Sequence, residues 1–257
     1  MPVQQLIYET AVPVSAARHG SCAVEGAESF GFCRHLNSVP VMAAEFARAS
    51  EDYAIVFADT GTPDEVVPLV LLGARAGENL YLDAAGAWRV PYVPAFIRRY
   101  PFIFSTSDEG QTFTLCVDEA FTGLNWQGRG QALFDAEGKP TPYVDGVLRF
   151  LQDYRQEFTR TRALAARLKA LDLLEPMQAE FTLGSGEKLA LGGFHAISRT
   201  RLHALDDAAL AALARGGELE LVHLHLHSMR NFQALSQRLV GTAATATAPT
   251  AATAEPA

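Results

Sequence analysis

The feature that most limits how this chain can fold is a device used three times: two short arms of alternating residues around a cluster of turn formers. "NLYLDAAGAWRV" (79–90) turns at Asp83 to Gly86, "PFIFSTSDEGQTFTLCVDE" (101–119) at Asp108 to Gly110, and "AEFTLGSGEKLALGGFHAIS" (179–198) at Gly184 to Gly186. Alternation with a period of two on both sides of a glycine-containing turn is the pattern of a β-hairpin, and hairpin strands run antiparallel. "YAIVFA" (53–58) and "VVPLVLLGA" (66–74) add two apolar runs of strand length, with the turn formers "DTGTPDE" between them. The sheet structure is therefore expected to be antiparallel and rich in hairpins.

Helices fill the gaps. Val147, Leu151, Tyr154, Phe158, Ala165 and Leu168 follow the three-four spacing of one buried stripe, which predicts a long helix in a region closed by Pro176. Shorter helices are expected over 40–52 and 93–100, each with a proline in its first turn. Another is expected over 206–217, capped by Asp206 and stopped by Gly216 and Gly217, and a last one over 228–239 with Ser228 as cap. The expected fold class is α+β: an antiparallel hairpin-rich sheet packed with one long helix and several short ones. Residues 1–140 read as a β-rich part and 141–239 as a helix-led α/β part sharing the same core. The Ala/Thr/Pro segment 240–257 has nothing to bury and reads as a disordered tail.

Composition then excludes whole classes of function. Apolar residues make up 49% of 257, enough for a core that needs neither metals nor disulfides to hold it. A formal charge of −8 repels phosphate backbones, so nucleic acid is not an expected partner. The longest apolar run is too short to span a bilayer. Three cysteines (Cys22, Cys33 and Cys116) have no zinc-ribbon spacing, and the N-terminus lacks a signal-peptide pattern, which together predict a cytoplasmic protein. No nucleophile elbow, phosphate loop, H-E-x-x-H or dinucleotide fingerprint is present. The balance therefore leans away from an enzyme.

Three local patterns can carry chemistry. In "LELVHLHLHSMRN" (219–231), strand geometry would put His223, His225 and His227 on one face, where His-x-His can supply two ligands to a divalent metal. The preferred reading is a solvated strand face opposite packed leucines, with a metal site as the lesser one and no cofactor favoured. In "YVPAFIRRYPF" (92–102), Arg98 or Arg99 framed by Phe96 and Tyr100, with Trp88 just upstream, is suited to holding a carboxylate, phosphate or sugar acid. The same residues could instead plug the core and bridge surface acids. Asp118 and Glu119 close a strand, and neighbours on a strand face opposite ways, so they do not read as a catalytic pair. The basic run Arg160, Arg162, Arg167 and Lys169 suits the C-terminal half of a helix, and could also dock a partner.

Taken together, "NSVPVMAAEFARASEDYAIVFA", "LLGARAGENLYLDAAGAWRVPYVPAFIRRYPF", "TLCVDE", "GEKLALGGFHAIS" and "GGELELVHLHLHSMRN" resemble the SapC family in order over roughly residues 3–239. "YVPAFIRRYPF" is the most specific piece, and the triple histidine departs from the single one that the resemblance implies. The family takes its name from a gene linked to bacterial surface-layer proteins. The resemblance implies an envelope or nutrient-uptake setting and transfers no catalytic residues. The expected function is accordingly a bacterial accessory protein that binds a small anionic ligand, a peptide or a partner protein. A metal-dependent enzyme built on the His-x-His strand is the alternative.

Overall fold

The structure is a computed structural model and describes residues 7–26, 29–107, 112–182, 186 and 188–245. In chain order the elements begin with β1 (Ala11–Pro13), α1 (Ala16–His19), β2 (Ala23–Val24), β3 (Ser38–Pro40) and α2 (Phe46–Asp52). Next come β4 (Ile55–Asp59), β5 (Val66–Leu71), α3 (Ala95–Arg98), β6 (Phe102–Ser107) and β7 (Thr112–Asp118). They continue with β8 (Leu124–Asn125), β9 (Gln131–Ala132), α4 (Pro142–Ala170), β10 (Leu174–Thr182) and β11 (Lys188–Ile197). Four helices follow: α5 (Arg199–His203), α6 (Asp207–Arg215), α7 (Glu218–Ser228) and α8 (Asn231–Thr245). The fold class is α+β.

Three antiparallel sheets form among the described residues. The largest has the order β10-β11-β4-β5-β3, and the others are β1-β7-β6 and β8-β2-β9. Strands from both sides of residue 140 thus meet in one sheet. Pro68 sits inside β5, opposite Phe57 of β4, with its own N–H missing. Its carbonyl accepts from Val41, just past the end of β3, so the absent donor faces a side where pairing has stopped.

The hairpin over 101–119 forms as β6 and β7, and the one over 179–198 as β10 and β11. Their turns at 108–110 and 184–185 lie outside the described residues. The segment 79–90 does not form a ladder. It holds one bridge, Leu82 to Trp88, around a turn in which Asp83 Oδ1 accepts from the Ala87 amide at 2.8 Å. Pro91 and Pro94 follow at once and cut the second arm short. Pro176 lies within β10, because the long helix has already ended at Ala170. The closing helix α8 runs through Thr245, into the Ala/Thr/Pro segment, and residues 246–257 lie outside the described ones.

Helix α4 connects two cores. Its 29 residues extend about 43 Å at 1.5 Å each. Leu164, Ala165 and Leu168 pack into the main core with Phe46, Phe57, Val70 and Leu72. Val144 and Leu151 pack into a second core with Phe102, Val117, Phe121 and Leu133. The middle of the helix lies between these two masses, beside the sheet β1-β7-β6.

Candidate functional site

The buried stripe of α4 is not filled along its whole length. Between Leu151 and Phe158 it faces a cavity of about 760 Å³, walled on the other side by β1, β6 and β7. Ile103, Phe104, Phe113 and Cys116 give the strand side an apolar lining, and Leu151 and Phe158 do the same for the helix. Tyr8, Arg99, Tyr154 and Arg155 supply polar groups. Apolar walls with a few placed polar groups are the ordinary make-up of a small-molecule site.

Arg99 is the central residue of this cavity, only 4% exposed. Its guanidinium carbon lies 4.3 Å from the ring centre of Phe96, 5.0 Å from Tyr154 and 5.6 Å from Tyr8. Each aromatic face offers negative charge to the cation and helps to hold it away from bulk water. The position follows from how "YVPAFIRRYPF" is anchored. Glu45 is buried, and its carboxylate accepts from Tyr92 Oη at 2.5 Å, from the Ala95 amide at 2.7 Å and from the Met42 amide at 2.8 Å. Those bonds fix the start of α3, so the single turn that follows delivers Arg99 inward and leaves Arg98 exposed.

Tyr8 is set by a second buried carboxylate. Asp118 accepts from the amides of Glu9 (2.9 Å), Thr10 (2.8 Å) and Ala120 (3.1 Å), which pins the N-terminal segment against the end of β7. Tyr8 Oη then donates to the Phe102 carbonyl at 2.6 Å. Burial pushes the Tyr8 hydroxyl well above its usual pKa, so it remains a neutral phenol. Glu119, next in the chain, points elsewhere and takes both ends of Arg18 at 2.5 and 2.6 Å. That pairing holds its pKa below the usual carboxylate value.

The other aromatic candidates divide between sites. Phe96 and Tyr100 stay near Arg99, Phe96 under its guanidinium and Tyr100 on a smaller cavity of about 480 Å³ that both arginines also line. Tyr100 stacks on Phe32 with ring centres 4.2 Å apart. Trp88 does not join them. Its Nε1 donates to Tyr53 Oη at 2.7 Å and its ring meets Phe30 edge-on, over the main core. Arg98 donates from Nε to the Val93 carbonyl at 3.0 Å and lies over Phe150.

The histidine segment is a helix, which corrects the strand expected for it. Glu and Leu favour helix, Val222 is its one β-branched residue, and Gly217 in the left-handed conformation (φ +77°) separates it from α6. Its buried stripe is Val222, His225 and Leu226, so the alternation of His and Leu follows no face. Residues two apart on a helix point about 200° from one another, so the pairing of His223 with His225 that strand geometry would give is lost. His223 and His227 are exposed, while His225 is buried against the Phe57 ring at 5.3 Å. Neither ring nitrogen of His225 has a hydrogen-bond partner, and burial pushes its pKa down to about 3. Among the described residues, no three His, Cys, Asp or Glu side chains are grouped as a metal ion would require.

The basic run on α4 is occupied by acids. Arg160 pairs with Glu157, Arg162 with Glu65, Arg167 with Glu218 and Lys169 with Asp64, all at 2.6 to 3.1 Å. Sequence reading missed Tyr8, Tyr154, Arg155 and Phe113 as members of the cavity. Tyr154 already belonged to the apolar stripe, and Arg155 beside it was the available signal. No local pattern could bring in Tyr8, which reaches the site through the pairing of β1 with β7 about a hundred residues away.

The sequence model of the SapC family matches residues 14–235. Neither a curated protein nor a solved structure matches the chain.

Proposed function

The chain belongs to the SapC family, and we propose that it is a non-catalytic accessory protein that binds a small amphipathic anion between α4 and the sheet β1-β7-β6. One observation carries this proposal: a buried arginine, ringed by three aromatic side chains, lines a cavity whose walls are largely apolar with a few polar groups. A guanidinium offers a fork of donors that matches a carboxylate, phosphate or sulfonate. The apolar lining suits a ligand with a hydrocarbon or aromatic body.

A cytoplasmic setting is part of the same proposal. All three cysteines are buried free thiols, in keeping with a reducing compartment. An envelope or nutrient-uptake role rests on the family resemblance alone. Among the described residues, no helix is long and apolar enough to cross a membrane.

The test uses 8-anilinonaphthalene-1-sulfonate, an apolar anion that fluoresces when bound, displaced by decanoate. Wild type, Arg99→Gln and Arg98→Gln are compared after circular dichroism shows equal folding. Loss of a charge-assisted hydrogen bond should weaken binding to Arg99→Gln roughly tenfold to a hundredfold, with Arg98→Gln close to wild type. Binding that is absent in the wild type, or equal in the Arg99 variant, overturns the proposal.

A further inference from the structure

The cavity has a second cationic end. Arg155 lines it from α4, one residue past the Tyr154 ring that lies beside Arg99. Its guanidinium carbon stands 3.8 Å from the ring centre of Phe113 on β7, across the mouth of the cavity. The negative face of the ring helps to hold the cation there. Arg155 is exposed and, unlike the four paired cations farther along α4, has no acidic partner among the described residues.

The two arginines mark opposite ends of the strands. Arg99 precedes β6, whose first residue, Phe102, pairs with Val117. Phe113 pairs with Thr106 near the far end of that hairpin. The run of β6 between them is about 14 Å at about 3.4 Å per residue. Ile103, Leu151 and Phe158 line the cavity between these ends.

We infer that the cavity takes an elongated dianion, with an acidic group at each end and an apolar middle: Arg99 holds the inner acid and Arg155 the outer one. The inference rests on the anion-binding role proposed for Arg99 and extends it to the class of ligand. An apolar tail ending under Arg155 would strip water from the guanidinium and give nothing in return, whereas a second acid would compensate it. Among the described lining residues Glu9 is the one carboxylate, and its amide donates to Asp118 at the inner end.

Isothermal titration of the full chain with decanedioate and with decanoate tests this. Wild type should bind decanedioate roughly tenfold more tightly than decanoate. Arg155→Gln should remove that difference and leave decanoate binding unchanged, whereas Arg99→Gln should weaken both ligands. Decanoate binding that depends on Arg99, with decanedioate no tighter, overturns the dianion and spares the anion site. Equal loss of both ligands in Arg155→Gln also overturns it. Absence of any Arg99-dependent binding sinks the site and the dianion together.

Discussion

Helix α4 passes over two surroundings that differ in how completely they are closed. From Thr161 onward its inner face meets β5 and the main core, where Leu164, Ala165 and Leu168 are all at most 5% exposed. Thr161 Oγ1 accepts from the Ala43 amide at 2.8 Å and donates to the Glu157 carbonyl, and every cation on the outer face from Arg160 to Lys169 has an acid beside it. Ten residues earlier the same helical periodicity faces the cavity. The sheet opposite is three-stranded there, and between it and the helix lies the cavity that the buried Arg99 lines. The stripe alone does not decide whether a helix face is filled; the opposing strands do.

Two of the buried basic residues, Arg99 and His225, sharpen this contrast. Arg99 lines the cavity among aromatic faces suited to a cation. His225 lies in the closed region and remains neutral because burial excludes its charged form. One residue is equipped to meet a ligand, and the other is packed as an apolar ring.

The largest expected effect separates the closed and open halves of α4 directly. Leu168→Ala removes a side chain from filled space and should destabilise the chain by about 2–5 kcal/mol. Phe158→Ala, at a half-buried position that lines the cavity, should cost about 1.5 kcal/mol or less, since little neighbouring structure depends on it. Urea unfolding of the two variants checks this; equal losses would mean that the cavity closes around its own side chains. Phe158→Ala should still weaken binding of the sulfonate probe.

A smaller effect, and one with a definite sign, belongs to His225. Its folded pKa is depressed to about 3, against about 6.5 in the unfolded chain, so the unfolded state binds the extra proton between those values. The stability contribution is full above pH 6.5 and is lost as pH falls toward 3, on the order of a few kcal/mol over the whole window. His225→Leu should flatten that part of the stability–pH curve and cost little at pH 7, since neither ring nitrogen gives up a hydrogen bond. A slope between pH 6 and 4 that is the same in both proteins would show that water or charge reaches this ring.

How much of this could be read in the sequence depends on the range of the interactions involved. The hairpins over 101–119 and 179–198 and the Asp206-capped helix are written in local turn and capping chemistry, and they form. The histidine segment misled because His-Leu alternation has the period of a strand, while Leu and Glu propensity and the Gly217 break favour a helix. Arg99 could be singled out from its aromatic neighbours, yet its choice over Arg98 depends on Glu45, fifty residues away. Tyr8 was out of reach for the same reason. The gathering of the cavity wall is set by sheet register, which short motifs do not encode.

The smallest expected effect concerns the outer face of α4. Arg162 pairs with Glu65 at 2.6 Å, but its side chain is 55% exposed and the carboxylate 24%. Exposed pairs of this kind are screened by solvent and salt, so Arg162→Ala should change stability by about 1 kcal/mol or less. It should leave decanoate and decanedioate binding at wild-type strength, because Arg162 does not line the cavity. Arg155→Gln should give the converse, unchanged unfolding with altered dianion binding. Titration and urea unfolding of the two variants side by side therefore ask whether position along one helix, and not positive charge alone, decides which arginine meets a ligand. If Arg162→Ala weakened dianion binding as much as Arg155→Gln, the general field of the helix would account for the preference, and the cavity's outer end would lose its distinction.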